Sequence, residues 1–207
     1  MIKNILWDFD GVILDSLAVR DYGFREIFKN FEKEDVEKLI AYHQQNGGLS
    51  RFHKIKYFFE EIIHQPIDDN GIECCAREFS EIMRRELSNP QYLIQETMTF
   101  ISSHYQQIRF FIASGSEHNE LNFLCHKLGI AQYFSAIYGS PTPKVDLVAK
   151  ILFSHDCDPR ECILIGDSIN DYDAAKTHEV AFYGYNNASL QGISERYIKT
   201  FRDIPLY

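Results

Sequence analysis

The sequence predicts an α/β fold: a doubly wound, mostly parallel sheet with helices inserted after the first strand. Three observations predict it. Compact apolar runs recur at residues 2–9, 108–113, 136–138, 162–165 and 180–183, as buried strands do. Segments with helical spacing lie at 117–128, 144–153 and 170–177, so strand and helix alternate, as they do when helices cover a parallel sheet. Residues 15–88 carry no comparable strand run. Short right-handed crossovers then complete the doubly wound arrangement.

The elements follow in order. The first strand ends in acids. The insert is read from amphipathic stretches at 16–31, 35–45, 50–64 and 68–87, punctuated by Asn46-Gly47-Gly48 and Gln65-Pro66. Its aromatics Phe52, Tyr57, Phe58 and Phe59 read as packing within the insert rather than a base-stacking platform. Asn89-Pro90 marks the return, because the residue before proline is pushed out of helix, and a helical pattern resumes near Tyr92. The expected division is a core of residues 1–15 and 90–207 and a helical cap of residues 16–89. No repeat or low-complexity tract interrupts this pattern.

Composition excludes several classes of function. With 21 Lys+Arg against 30 Asp+Glu the net charge is −9, which disfavours nucleic acid or an anionic membrane as partner. No run approaches the ~20 apolar residues of a membrane span. Five cysteines without paired CxxC spacing argue for reduced thiols rather than zinc or a disulfide framework. A soluble, cytoplasmic protein is expected, which makes the sequon Asn187-Ala188-Ser189 a chance match.

The chemistry gathers where strands end. In Asp8-Phe9-Asp10-Gly11-Val12 the two acids are two residues apart on one face, at a glycine that lets the chain turn. Such a pair suits a divalent metal or acid/base work; an acidic turn with a helix cap is the plainer alternative. Gly166-Asp167-Ser168-Ile169-Asn170-Asp171 places a second acidic pair beyond another strand, and oxygen ligands from two strand tips suit Mg²⁺. Ser114 and Gly115 close an apolar run and open a helix, offering a hydroxyl and backbone N–H groups to an anion or serving as a common cap. Lys144 follows Pro141-Thr142-Pro143 at a helix start, where the dipole disfavours a cation; it neutralises a phosphate there, or is a surface lysine.

In order, Asp8-x-Asp10-Gly11-Val12, Ser114, Lys144 and Gly166-Asp167-Ser168-x-x-Asp171 resemble the four motifs of the haloacid dehalogenase superfamily. The resemblance implies a Rossmann-like core with a small helical cap. It implies Asp8 as nucleophile, Asp10 as general acid and base, Ser114, Gly115 and Lys144 as phosphate-binding groups, and Mg²⁺ held by Asp8, Asp167 and the backbone carbonyl of Asp10. Asp171 would lie in or near the second shell. For Asp10 to protonate a leaving group near neutral pH, its surroundings must raise its pKa, as a closed cap does. The second acid points to phosphate esters rather than to dehalogenation.

In the expected cap, Gly47-Gly48-Leu49-Ser50-Arg51 breaks two helical stretches, and Arg51 is the candidate for gripping the leaving group. Lys54 and Lys56 read as a solvated helix face. The expected activity is a Mg²⁺-dependent phosphatase acting on a small soluble phosphomonoester, with sugar phosphomutase as the near rival and a phospho-receiver or silent binding module more remote.

Overall fold

The computed structural model describes residues 1–204. Six strands form one sheet in the order β3-β2-β1-β4-β5-β6: β1 (Asn4–Trp7), β2 (Arg109–Glu117), β3 (Ala136–Ser140), β4 (Cys162–Gly166), β5 (Ala181–Tyr185) and β6 (Arg196–Ile198). Every pairing is parallel. The chain builds outward from β1 to β3, then returns to place β4 on the other side of β1. This reversal is where open α/β sheets bind ligands. Trp7 pairs with Ile165, so the loops after β1 and β4 start side by side.

Alternate residues of β1 feed opposite layers. Ile5 and Trp7 join Phe100 and Ile101 of α5 (Gln95–His104) and Leu121 and Leu124 of α6 (His118–Lys127). Leu6 joins Leu147, Val148 and Ile151 of α7 (Lys144–Ser154) and Ala174 and Ala175 of α8 (Ile169–Thr177). Trp7 is fully buried with its ring edge-on to Phe100 and Phe110. Burying such side chains stabilises the fold by roughly 1.5–3 kcal/mol each.

The insert contains α1 (Leu17–Ile27), α2 (Lys33–Gln45), α3 (Arg51–Tyr57) and α4 (Asp69–Glu86), with a π-helical turn at Phe58–Ile62. As expected, its aromatics pack together: Phe28 stacks on Phe58 at 4.2 Å between centroids, and Phe24 lies 4.5 Å from Phe79. The chain enters and leaves the insert along paired backbone. The Asp15 N–H donates to the Tyr92 carbonyl at 2.7 Å and the Ile94 N–H to the Ile13 carbonyl at 2.9 Å. That pairing holds residues 93 and 94 extended, so α5 begins at Gln95 rather than near Tyr92.

Two further differences have physical causes. Strand β2 runs past Ala113 to Glu117, with a register shift against β3, and α6 is capped by the Glu117 carboxylate, which accepts from the N–H groups of Asn119 and Glu120. Ser114 and Gly115 therefore lie on a strand end, not at a helix N-terminus. Strand β6 has only three residues and no apolar run to announce it. Among the described residues all five cysteines are free, and no helix is long and apolar enough to cross a membrane.

Candidate active site

Asp8 leaves β1 with its N–H donated to the Ile165 carbonyl at 2.9 Å. Its carboxylate is buried and accepts a hydrogen bond from Lys144 Nζ at 2.8 Å. Lys144 also bonds Asp171. Burial alone would lower the Lys144 pKa, but Asp171 and Asp8 outweigh it and hold the ammonium above its ordinary range. The lysine at the helix start is thus no surface charge; two carboxylates offset the unfavourable dipole there.

Asp8, Asp167 and Asp171 bring carboxylate oxygens within 4.8 Å of one another. Burial first, then Asp171, push Asp8 up to about 7 despite Lys144. Burial, Asp8 and Asp171 push Asp167 well above the carboxylate range. Three acids sharing one lysine make a site short of positive charge, which a divalent cation would correct. The acids differ in availability. Asp171 Oδ2 accepts from both the N–H and Oγ of Ser168, and Oδ1 accepts from Lys144, so its oxygens are already committed. Asp8 Oδ2 and the Asp167 carboxylate have no such partner among the described residues. This donor set fits Mg²⁺, which takes one or two carboxylates with waters and phosphate oxygens.

Gly11 makes the approach possible. Its φ is +74°, and a Cβ built there would stand 2.1 Å from Asp167 Oδ2. Two asparagines tie the loops together: Asn186 donates to the Gly11 carbonyl at 3.0 Å and Asn187 to the Asp167 carbonyl at 2.8 Å. The side-chain amide of Asn187 is therefore engaged in a hydrogen bond within the protein.

Asp10 corrects an expectation. Its carboxylate is not among the three clustered acids and accepts from Arg20 Nε at 2.6 Å, from Ser116 Oγ at 2.5 Å and from Ser16 Oγ. Burial pushes its pKa up, but the Arg20 charge and these hydrogen bonds outweigh burial and hold it below the ordinary carboxylate range. The closed insert does not by itself protonate Asp10, because it also delivers a guanidinium.

Ser114 and Gly115 sit beside Asp8's strand at the end of β2, where the Ser116 N–H donates to Ser114 Oγ at 3.1 Å. A Cβ on Gly115 would lie 2.5 Å from the Gly48 carbonyl oxygen, so the insert's glycine loop rests directly on this strand end. Arg51, three residues along, is buried and donates to Ser80 Oγ at 2.7 Å and Glu120 Oε2 at 2.5 Å. Glu120 Oε1 in turn accepts from Arg20 at 3.2 Å. Arg51, Arg20 and Asp10 line one cavity of about 30 Å³, and a larger cleft of about 480 Å³ between insert and core reaches Asp167.

Lys54 is the second correction. It is 2% exposed and donates to His43 Nδ1 at 2.8 Å and the Gly47 carbonyl at 3.3 Å; burial first, then the Arg20 charge, push its amine down to about 7. Lys56 is exposed as expected. Sequence reasoning missed Arg20, Ser116, Glu120 and Lys54 as site residues. Some signals existed: Arg20 follows Ser16 by one helical turn, Ser116 alternates with Ser114 on a strand, and Lys54 shares a helix face with Arg51.

Known proteins with this arrangement place the chain. The family model for haloacid dehalogenase-like hydrolase matches residues 5–185. A Bacillus subtilis protein named "Putative phosphatase YhcW" is 26% identical over 184 residues, covering 85% of this chain and 80% of that protein. CbbY from Rhodobacter sphaeroides, solved with xylulose-(1,5)bisphosphate, superposes with a TM-score of 0.79 at 19% identity, covering 98% of this chain and 96% of that one. The β-phosphoglucomutase of Clostridium difficile gives 0.77 at 17% identity, covering 99% and 94%. With the sheet order, the acids at two adjoining strand tips and a family match spanning nearly the whole core, the chain belongs to the haloacid dehalogenase-like hydrolases.

Proposed function

We propose that the protein is a Mg²⁺-dependent phosphatase that hydrolyses a small soluble phosphomonoester through an aspartyl phosphate on Asp8. One observation carries this reading: Asp8 is buried, held by Lys144 and grouped with Asp167, with a second acid two residues on. In the first step an Asp8 oxygen bonds to phosphorus as the ester P–O bond breaks, and the departing alkoxide takes a proton from Asp10. In the second, water attacks the aspartyl phosphate, gives its proton to Asp10, and frees inorganic phosphate and Asp8. Asp8, Asp167 and the Asp10 carbonyl would hold the metal, which supplies positive charge to the transferring group.

This chain's own residues do the rest. Lys144 screens Asp8 from the anionic ester, and Ser114 and Gly115 offer donors to phosphate oxygens. Asp171 fixes Lys144 and the first turn of α8. Arg20 and the two serines keep Asp10 as a carboxylate, the form that activates water; protonating the leaving group requires Arg20 to release it. Arg51 reaches the leaving group from the insert. The burial of Arg51 and Lys54 beneath α2 and α4 supports a small metabolite over a protein phosphosite.

The test is phosphate release from a panel of phosphorylated metabolites, with Mg²⁺ and with chelator, for wild type, Asp8→Asn and Asp10→Asn. Turnover of at least one compound, dependent on Mg²⁺ and abolished in Asp8→Asn, is expected. Full activity in Asp8→Asn removes the nucleophile assignment, and no release from any compound removes the phosphatase. Isomerisation of a sugar phosphate without free phosphate would make the enzyme a mutase.

A further inference from the structure

A buried lysine lines the small cavity beside Asp10, and the phosphate-transfer steps give it no part. Lys54 shares α3 with Arg51, Arg20 reaches the same cavity from α1, and Phe24 and Phe79 supply apolar wall. Lys54 forms no ion pair among the described residues; its Nζ meets His43 Nδ1 and the Gly47 carbonyl. Burial, then the Arg20 charge, outweigh Asp10 and bring the amine down to about 7. At pH 7.5 it is therefore more often a free amine than an ammonium, and a free amine is a nucleophile. Lys144 is the contrast: it is buried too, but two carboxylates keep it charged.

The neighbouring arginines lack acceptors. Arg20 spends Nε on Asp10 and Nη1 on Glu120, and Arg51 spends Nη1 on Ser80 and Glu120. Arg20 Nη2, Arg51 Nε and Arg51 Nη2 are buried with none. Buried donors are rarely left this way, and guanidinium edges fit the planar oxygens of a carboxylate. The space is small, about 30 Å³, or about two waters.

We propose that Lys54 is a carbamylation site: Nζ takes up carbon dioxide, and the carboxylate so formed accepts from the unused guanidinium N–H groups of Arg20 and Arg51. The Nζ lone pair forms the bond to the carbon of CO₂, while one C=O electron pair moves onto oxygen. Nζ gives up one proton to His43 Nδ1 as His43 Nε2 releases its own toward Asp21, 3.6 Å away, and so to water in the cleft that both residues line. His43 passes the proton on rather than keeping it, because burial first holds its imidazole neutral. One carbamate and one proton result, and Nζ keeps one N–H for the Gly47 carbonyl. Charge does not choose between the modified and protonated forms. Asp10 and Glu120 match Arg20 and Arg51, so the ammonium leaves one excess positive charge and the carbamate one excess negative charge. The donors decide, since only the carbamate supplies acceptors. It also takes the Arg51 donors away from a leaving group, which makes uptake a reversible block.

Uptake needs no turnover, so its test is independent of the phosphatase reading. Protein labelled with ¹⁵N at lysine Nζ is equilibrated with ¹³C-labelled CO₂ and bicarbonate at pH 7.5 and constant ionic strength, and followed by ¹³C NMR. One resonance split by a directly bonded ¹⁵N is expected, saturating as CO₂ rises and absent from Lys54→Gln; the label excludes the Met1 amine. Trapping with trimethyloxonium and peptide mapping should place a methyl carbamate on Lys54 of wild type, which assigns the signal even where Lys54→Gln does not fold. In Arg51→Gln, shown to be folded by its thermal melt, the CO₂ concentration for half-saturation should rise at least tenfold. An unsplit signal, meaning bicarbonate bound without a covalent bond, overturns the proposal, as does no signal, a carbamate trapped only on other lysines, or unchanged half-saturation in Arg51→Gln.

Discussion

A methyl group at Gly115 tests whether closure of the insert onto β2 is needed for turnover. The Cβ of Gly115→Ala would stand 2.5 Å from the Gly48 carbonyl oxygen and 3.1 Å from its carbonyl carbon, where ordinary contact begins at 3.4 Å. Both obstructing atoms are backbone, so no rotamer relieves them, and the loop must retreat by about 0.9 Å. Arg51 follows three residues later and retreats with it. A displacement of this size costs on the order of 100-fold in rate, equivalent to ~2.7 kcal/mol of transition-state stabilisation. The fold should hardly notice, because the φ of Gly115 is not in the left-handed region and its strand neighbours Ala113 and Ser114 stay buried. The assay is kcat/KM for phosphate release beside a thermal melt, with Gly192→Ala as control because nothing lies within 4 Å of that position. An unchanged melt with kcat/KM within threefold of wild type would refute the closure argument.

Two other perturbations have worked magnitudes. Gly11→Ala puts a side chain at φ +74° and a Cβ 2.1 Å from Asp167 Oδ2; it should cost roughly 1–2 kcal/mol in denaturant unfolding and raise the Mg²⁺ concentration for half-maximal phosphate release at least tenfold, and an unchanged Mg²⁺ titration would separate Asp167 from the metal. His43 is held neutral to about pH 2 by burial and then by Lys54 and Arg20, whereas in the unfolded chain it takes up a proton below about pH 6.5. Stability is therefore lost as pH falls below that value, by about 2 kcal/mol at pH 5. Unfolding of wild type and His43→Gln at pH 7.5 and 5 isolates this share, and equal losses in both proteins would contradict it.

The parts of the fold legible in the sequence were those whose burial is written locally. Strands β1 and β4 are continuous apolar runs because helices cover both faces of the sheet, and Asp8, Asp10 and Asp167 stand out because acids follow such runs directly. Strand β2 was legible only to Ala113, since Ser114-Gly115-Ser116 has the composition of a helix cap until Glu117 takes that role. The charge network was illegible for a different reason. Glu120 joins Arg20 and Arg51 across long stretches of chain, and a charged residue on a helix reads as solvated until a partner from another element covers it. Lys54 was misread this way. The state of Asp10 was misread too, because its three donors come from α1, its approach and β2 rather than from its own loop.

The paired backbone at the root of the insert has a consequence for how this architecture diversifies. Departure at Asp15 and return at Tyr92 are a single hydrogen bond apart, 2.7 Å, so the sheet experiences the whole excursion as one closed stitch. Helices can be lengthened, shortened or exchanged beyond that stitch while every strand keeps its register. Selection can thus remodel what enters the cleft while the groups that handle phosphorus stay fixed.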